Sequence, residues 1–178
     1  FDPTSSLERQ SDPESIQNFR TPLFELDSVY GSGPGASPHL YDQSAEGEGI
    51  KFHIEEIPRA VAVSAGGFPR FDLPRNSQGT ALLGDPRNDE NLIVSQLHLA
   101  MLKFHNAVVD YVNVEFELTN PDEVFAEAQR LVRWHYQWII VHEFLVKTCG
   151  QAVIDDVLNN GRKFYKWRNL PYIPVEFS

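Results

Sequence analysis

Cysteine is almost missing from this chain. Cys149 stands alone among 178 residues, so no disulfide can close within it and the redox compartment stays open. Methionine is as scarce, with Met101 the single copy, and the first residue is Phe1. Such a start predicts a polypeptide that has been processed, trimmed or excerpted. Basic residues are outnumbered 15 to 25, giving a formal charge of −10 and a pI near 5.0. Non-specific nucleic-acid binding needs Lys and Arg to neutralise phosphates, and anionic lipid needs them too, so neither partner is expected. No uninterrupted apolar run approaches the roughly 20 residues that span a bilayer, so no membrane span is expected. There is no P-loop, no GxGxxG, no nucleophile elbow and no cysteine pair for zinc. What remains is 42% hydrophobic and 12% aromatic residues, enough for one globular core and too much for a disordered chain.

Two unlike parts follow each other. Residues 1–80 form a loop-rich arm of Pro, Gly, Ser and Asp, and residues 81–178 form a helical core segment. In the arm, Pro22 suits a first helical position after Thr21 as N-cap, and Gly31 suits the end of a short helical turn. Residues 32–49 carry loop chemistry. Residues 50–63 predict one or two short strands broken at Pro58, and residues 64–79 predict loop again. Asn88 or Asp89 can cap a helix running to about Asn113. Asn120-Pro121-Asp122-Glu123 is a strong helix start, and that helix is expected to reach about Thr148 and stop at Gly150. A shorter helix follows, Gln151 to about Asn159, ended by Gly161.

Apolar residues nearly encircle both long helices: Leu92, Ile93, Leu97, Leu99, Leu102 and Val109 in the first, Trp134, Trp138, Ile139 and Phe144 in the second. A helix apolar all round predicts burial. Two buried helices, one short helix and an arm cannot cover one another, so the chain is expected to be part of a larger helical domain or to need a partner. The alternative is a compact three-helix unit wrapped by its own arm.

Three places could carry chemistry. Gly84-Asp85-Pro86-Arg87-Asn88-Asp89-Glu90-Asn91 opens the first long helix. The acids suit a helix N-terminus, and Arg87 opposes the dipole. Arg87 is either tied to Asp85, Asp89 or Glu90 in a local salt-bridge knot, or held by those acids beside a cavity where it polarises an oxygen ligand. His98 and His105, like His135 and His142, stand seven apart, about 10.5 Å along the axis, too far to share a metal. Buried structural histidines are favoured over a metal held between the helices. Thr21, Glu25 and Asp27 offer alternating hard oxygens that suit Ca²⁺, against a capped turn with solvated acids.

Three segments in order resemble the animal-type haem peroxidase superfamily, which includes cyclooxygenases and fatty-acid dioxygenases. They are Arg20-Thr21-Pro22 through Val29-Tyr30-Gly31-Ser32-Gly33-Pro34; Leu83 through Asn91 with Leu97-His98 and Phe104-His105-Asn106; and Ala128 through Ile140 with Glu143-Phe144-Leu145. The first and third are most similar to bacterial members. The resemblance implies a mainly α, haem-peroxidase-like fold, incomplete here, with haem b and Ca²⁺ as cofactors. It implies an enzyme that uses H₂O₂ to oxidise a small electron donor. Arg87 matches the distal arginine that helps split the peroxide bond. Glu90 matches the acid that forms an ester with a haem methyl in mammalian members, and Asn91 replaces the methionine of a sulfonium link. Thr21, the Leu23 carbonyl, Glu25 and Asp27 match the calcium loop, with Glu where Asp is usual. His98 and His105 match positions that do not ligate haem.

The family's distal histidine segment lies upstream of the Phe-x-Pro matched by Phe1-Asp2-Pro3. Its proximal histidine segment would follow Val175-Glu176-Phe177-Ser178. The resemblance therefore implies the stretch between the two haem histidines, needing the remainder of its own domain and weak or inactive alone. A fatty-acid dioxygenase of the same superfamily and a non-catalytic calcium-binding fragment are the alternatives.

Overall fold

The computed structural model describes residues 23–57 and 70–164. Thr21 and Pro22, with the N-cap expected there, lie outside these residues. Contacts divide the chain into two units, Glu25–Gln137, and Trp138–Ser178 together with Phe1–Phe24.

The larger unit begins with one helical turn, α1 (Asp27–Tyr30), closed by Gly31 at φ +56°, as the sequence predicts. A 3₁₀ turn at Pro38–Leu40 and bends fill the expected loop. Strand β1 (Glu55–Ile57) pairs antiparallel with β2 (Arg70–Asp72) in the register Glu55↔Asp72, Glu56↔Phe71, Ile57↔Arg70. The continuation of the first strand region past Pro58 lies outside the described residues. Strand β2 corrects the expected loop over 64–79. Its flanking Pro and Gly hide a short edge that is anchored by burial, with the following Leu73 at 0% exposure.

Helix α2 (Leu92–Glu115) is the spine of this unit, and α3 (Pro121–Ile139) starts beside it in sequence at the expected place. The Asn120 side chain accepts from the Asp122 N–H at 3.0 Å, the predicted cap. The α2 cap differs. Asn91 caps it by accepting from the Val94 N–H at 2.9 Å, because Pro86–Asp89 forms a separate 3₁₀ turn that takes Asn88 and Asp89 out of capping range.

One core joins the arm to both helices. Leu26, Val29, Tyr30, Leu40, Tyr41, Phe52 and Leu73 pack with Leu99, Leu102, Val109 and Val112 of α2 and Val124, Ala128 and Val132 of α3. The expectation of two fully buried helices is corrected here. The arm covers only one face of α2, leaving Leu92, Ile93 and Leu97 at 76%, 82% and 59% exposure. Trp134, Trp138 and Ile139 of α3 are exposed as well. By length and composition α2 could cross a bilayer. Its opposite face, however, carries Ser95, His98 and His105 into the core, the pattern of a core helix.

In the second unit the helical path continues beyond α3 as a π turn (Ile140–Phe144) and α4 (Leu145–Cys149), then stops at Gly150 with φ +88°. Helix α5 (Gln151–Asn160) follows and stops at Gly161, as expected.

Candidate functional site around the Asp85–Glu90 turn

The turn that carries Arg87 is built by local chemistry. Asp85 is extended, and its side chain accepts the Arg87 backbone N–H at 3.1 Å, while Pro86 supplies a first position already set for a helical turn. Gly84 is required by close approach: a Cβ there would lie 2.7 Å from the Ser28 carbonyl oxygen and 3.0 Å from the Gly31 nitrogen. The turn is thereby pressed against α1.

Arg87 is half-buried and gripped by the buried Asp85. Nε donates to Asp85 Oδ1 at 3.1 Å, and Nη2 donates to Asp85 Oδ2 at 2.9 Å. This fork geometry fixes the plane of the guanidinium. The Asp85 hydrogen bonds hold its pKa above the usual arginine value, with Glu90 and Asp27 adding attraction. Arg87 thus stays cationic at every accessible pH. Glu90 is exposed at the end of the turn, its N–H donating to the Arg87 carbonyl at 3.2 Å.

Two further side chains of the turn have partners outside it. Arg75 forks onto Asp89, with Nη1 at 2.7 Å from Oδ2 and Nη2 at 2.8 Å from Oδ1; its Nε donates to Asp72 at 3.0 Å. The Arg75 bonds hold the Asp89 carboxyl below its ordinary pKa. Asn88 Nδ2 donates to His98 Nδ1 at 2.8 Å, which places the ring proton of neutral His98 on Nε2. Burial pushes His98 down to about 4, against the opposing pull of Asp85.

Sequence reasoning missed Arg75, which lies in the stretch expected to be loop. It foresaw Asp89 as a cap or as a partner of Arg87, whereas Asp89 faces Arg75. An Arg between Pro and Asn in a turn-rich stretch carries no local signal for a partner 14 residues away. The Asp85-Pro86 pair, a turn initiator, was the available signal for the 3₁₀ turn.

His105 is fully buried with both nitrogens engaged. Its Nε2 donates to the Ile50 carbonyl at 3.0 Å, so Nδ1 accepts from the Tyr30 hydroxyl, also at 3.0 Å. Rings of Tyr30, Phe52 and Phe125 surround it. Burial drives it down to about 4. His98 and His105 are therefore structural groups in this unit. His135 and His142 are exposed, the former hydrogen-bonded to the Leu131 carbonyl and the latter beside Trp138.

Of the expected calcium ligands, Thr21 lies outside the described residues and Leu23 is exposed in the smaller unit. In the larger unit, Asp27 Oδ1 accepts its neighbour's Ser28 N–H at 2.7 Å, and the Glu25 carbonyl accepts from Arg133 Nε at 2.8 Å. Among the described residues no three His, Cys, Asp or Glu side chains gather as a metal site.

A porphyrin macrocycle is an apolar disc with carboxylate arms. A braced cation and Glu90 are followed in sequence by Leu92, Ile93 and Leu97, large apolar side chains exposed at the start of α2.

The animal haem peroxidase family matches residues 3–178. Thyroid peroxidase of Mus musculus is 24% identical over 148 residues, and thyroid peroxidase of Homo sapiens is 26% identical over 152. Each alignment covers 79% of this chain and 16% of the relative, so the chain spans about a sixth of the length of these proteins. On the match across nearly its whole length, this chain belongs to the animal haem peroxidase family.

Proposed function

We propose that this chain supplies the distal-side cation of a haem peroxidase that uses H₂O₂ to oxidise a small donor. The observation that supports the reading is Arg87, a cation fixed by the buried Asp85 in the turn that precedes the exposed apolar start of α2. Arg87 and Glu90 would adjoin haem b. When bound, haem supplies the redox chemistry of peroxide reduction. Arg87 holds a positive charge at a fixed position, where it stabilises the negative charge that grows on the leaving oxygen as the O–O bond breaks. Because Asp85 has already oriented it, no reorganisation is required during the step. Asp85 is buried and acts on the reaction through Arg87. Glu90, exposed at the turn's edge, would lie along the macrocycle rim.

The exposed apolar side chains of α2 are the surface that the remainder of the domain would cover, and both iron-side histidines would come from that remainder. By itself the chain is then expected to be weak or inactive. Calcium belongs to the proposal through the family resemblance, with Thr21, the Leu23 carbonyl, Glu25 and Asp27 as ligands. Chelation should lower the thermal stability of the complete protein if that assignment holds.

The test is stopped-flow reaction of the complete, haem-loaded protein with H₂O₂. Arg87→Ala should slow that step by about 10²–10³-fold, the scale of losing one preorganised oxyanion donor. An unchanged rate constant removes Arg87 from the mechanism.

A further inference from the structure

Arg87 sits in a crowd of acids. Asp85, Glu90 and Asp27 of α1 act on the guanidinium electrostatically, and the turn carries a further carboxylate, Asp89, two residues along the chain from Arg87. A flexible arginine in such surroundings exchanges partners. Asp89 stands two residues after Arg87, as Asp85 stands two before it, and it is the natural competitor. Yet Asp89 is turned away: both its oxygens are taken by the two terminal nitrogens of Arg75. Arg75 in turn is held by Asp72 of β2 through Nε and by the Gly79 carbonyl through Nη1, so its fork has fixed partners besides Asp89.

We propose that Arg75 is a positioning residue for Arg87: it sequesters the Asp89 carboxylate, so that the Arg87 guanidinium stays on Asp85 and keeps one direction. This deepens the peroxidase reading and rests on it for its catalytic meaning, while the positioning itself is a property of the turn alone. The segment just after β2 acquires a function: it carries the cation that removes the competing anion. An Arg is needed for this, because a planar fork occupies both carboxylate oxygens together, whereas a lysine ammonium leaves one oxygen open.

The experiment compares Arg75→Gln, Asp89→Asn and the double variant Arg75→Gln/Asp89→Asn in the complete haem-loaded protein. The first readout is the Arg87 Nε–H resonance and its exchange with solvent, assigned by its loss in Arg87→Lys. The second is the rate constant for reaction with H₂O₂. Arg75→Gln should shift the Nε–H signal, speed its exchange by about 10-fold and slow the peroxide step by about 10-fold or more, since a 1 Å misplacement can cost about 10²-fold. Asp89→Asn should leave both readouts near the parent value, and the double variant should return them there, because the competing charge is gone. A merely structural anchor gives the opposite pattern, with Asp89→Asn as damaging as Arg75→Gln and no rescue in the double variant, and that result overturns the proposal. An unmoved Nε–H signal in Arg75→Gln overturns it as well. If Arg75→Gln does not fold, Arg75→Lys keeps the charge and should give an intermediate change that Asp89→Asn reverses; no change there refutes sequestration. A shifted Nε–H signal with an unaltered peroxide rate leaves the positioning role intact and rejects the catalytic reading of Arg87.

Discussion

Acidification from pH 7 to pH 4 should destabilise this protein in a window set by two histidines. His98 and His105 are buried and neutral, and each lies at about 4 instead of its ordinary 6.5. The cause in both is lost hydration, only partly offset by Asp85 at His98 and by the Ile50 carbonyl at His105. Between these two values the unfolded chain binds a proton at each histidine and the folded chain does not. Stability therefore falls as pH drops from about 6.5 to about 4, and the histidine contribution is flat outside that range. At about 1.4 kcal/mol per pKa unit, each histidine accounts for about 3 kcal/mol across the window. Together they approach the total stability of a typical domain, roughly 5–15 kcal/mol. The carboxylates held low by their partners, Asp42 by the Ser44 N–H and Asp89 by Arg75, act in the same direction, but in the lower range where carboxylates titrate. Urea unfolding at half-unit pH steps measures the slope, and the imidazole Cε1–H shifts in NMR give each titration directly. The expected slope approaches two protons between pH 6 and pH 5, and it should fall to one in His105→Phe. That variant is also less stable at pH 7 by about 1–3 kcal/mol for each polar group left unpaired, namely the Tyr30 hydroxyl and the Ile50 carbonyl. A stability that stays level from pH 6.5 to 4.5, or folded-state titration of both rings near 6.5, refutes the reasoning.

Gly84→Ala should destabilise by about 1–3 kcal/mol, because the new Cβ meets backbone at 2.7 Å and the turn must lift from α1; unchanged thermal unfolding contradicts this. Asn106 spans Phe52 with two bonds, accepting from its N–H at 2.7 Å and donating to its carbonyl at 2.9 Å. Asn106→Leu should therefore cost about 2–4 kcal/mol in denaturant unfolding, and Asn106→Asp, which cannot donate, should not restore the loss above the carboxylate range. Asn91→Ala should lower stability by about 1 kcal/mol through loss of the α2 cap, whereas Asn88→Ala should act instead on the His98 ring, seen as a changed Nδ1 environment in NMR.

The sequence by itself determined the helical spine. The Asn120-Pro121 start and the glycine stops at 150 and 161 are local signals, and local backbone preferences act on them without help from distant residues. It also determined the family, through three short segments in order, and the short turn closed at Gly31. The tertiary structure decided the rest. Whether an apolar helix is buried depends on what covers it, and the arm covers only the face with His98, Leu99, Leu102 and His105, leaving Ile93 and Leu97 bare. Which carboxylate holds Arg87 depends on where the others are taken, and Asp89 is taken by Arg75, which stands three residues past the end of β2 in a stretch that reads as loop. Ion-pair partners are chosen by distance in space. The order of residues along a chain fixes that distance only within a turn or two of helix, and beyond it the packed core decides.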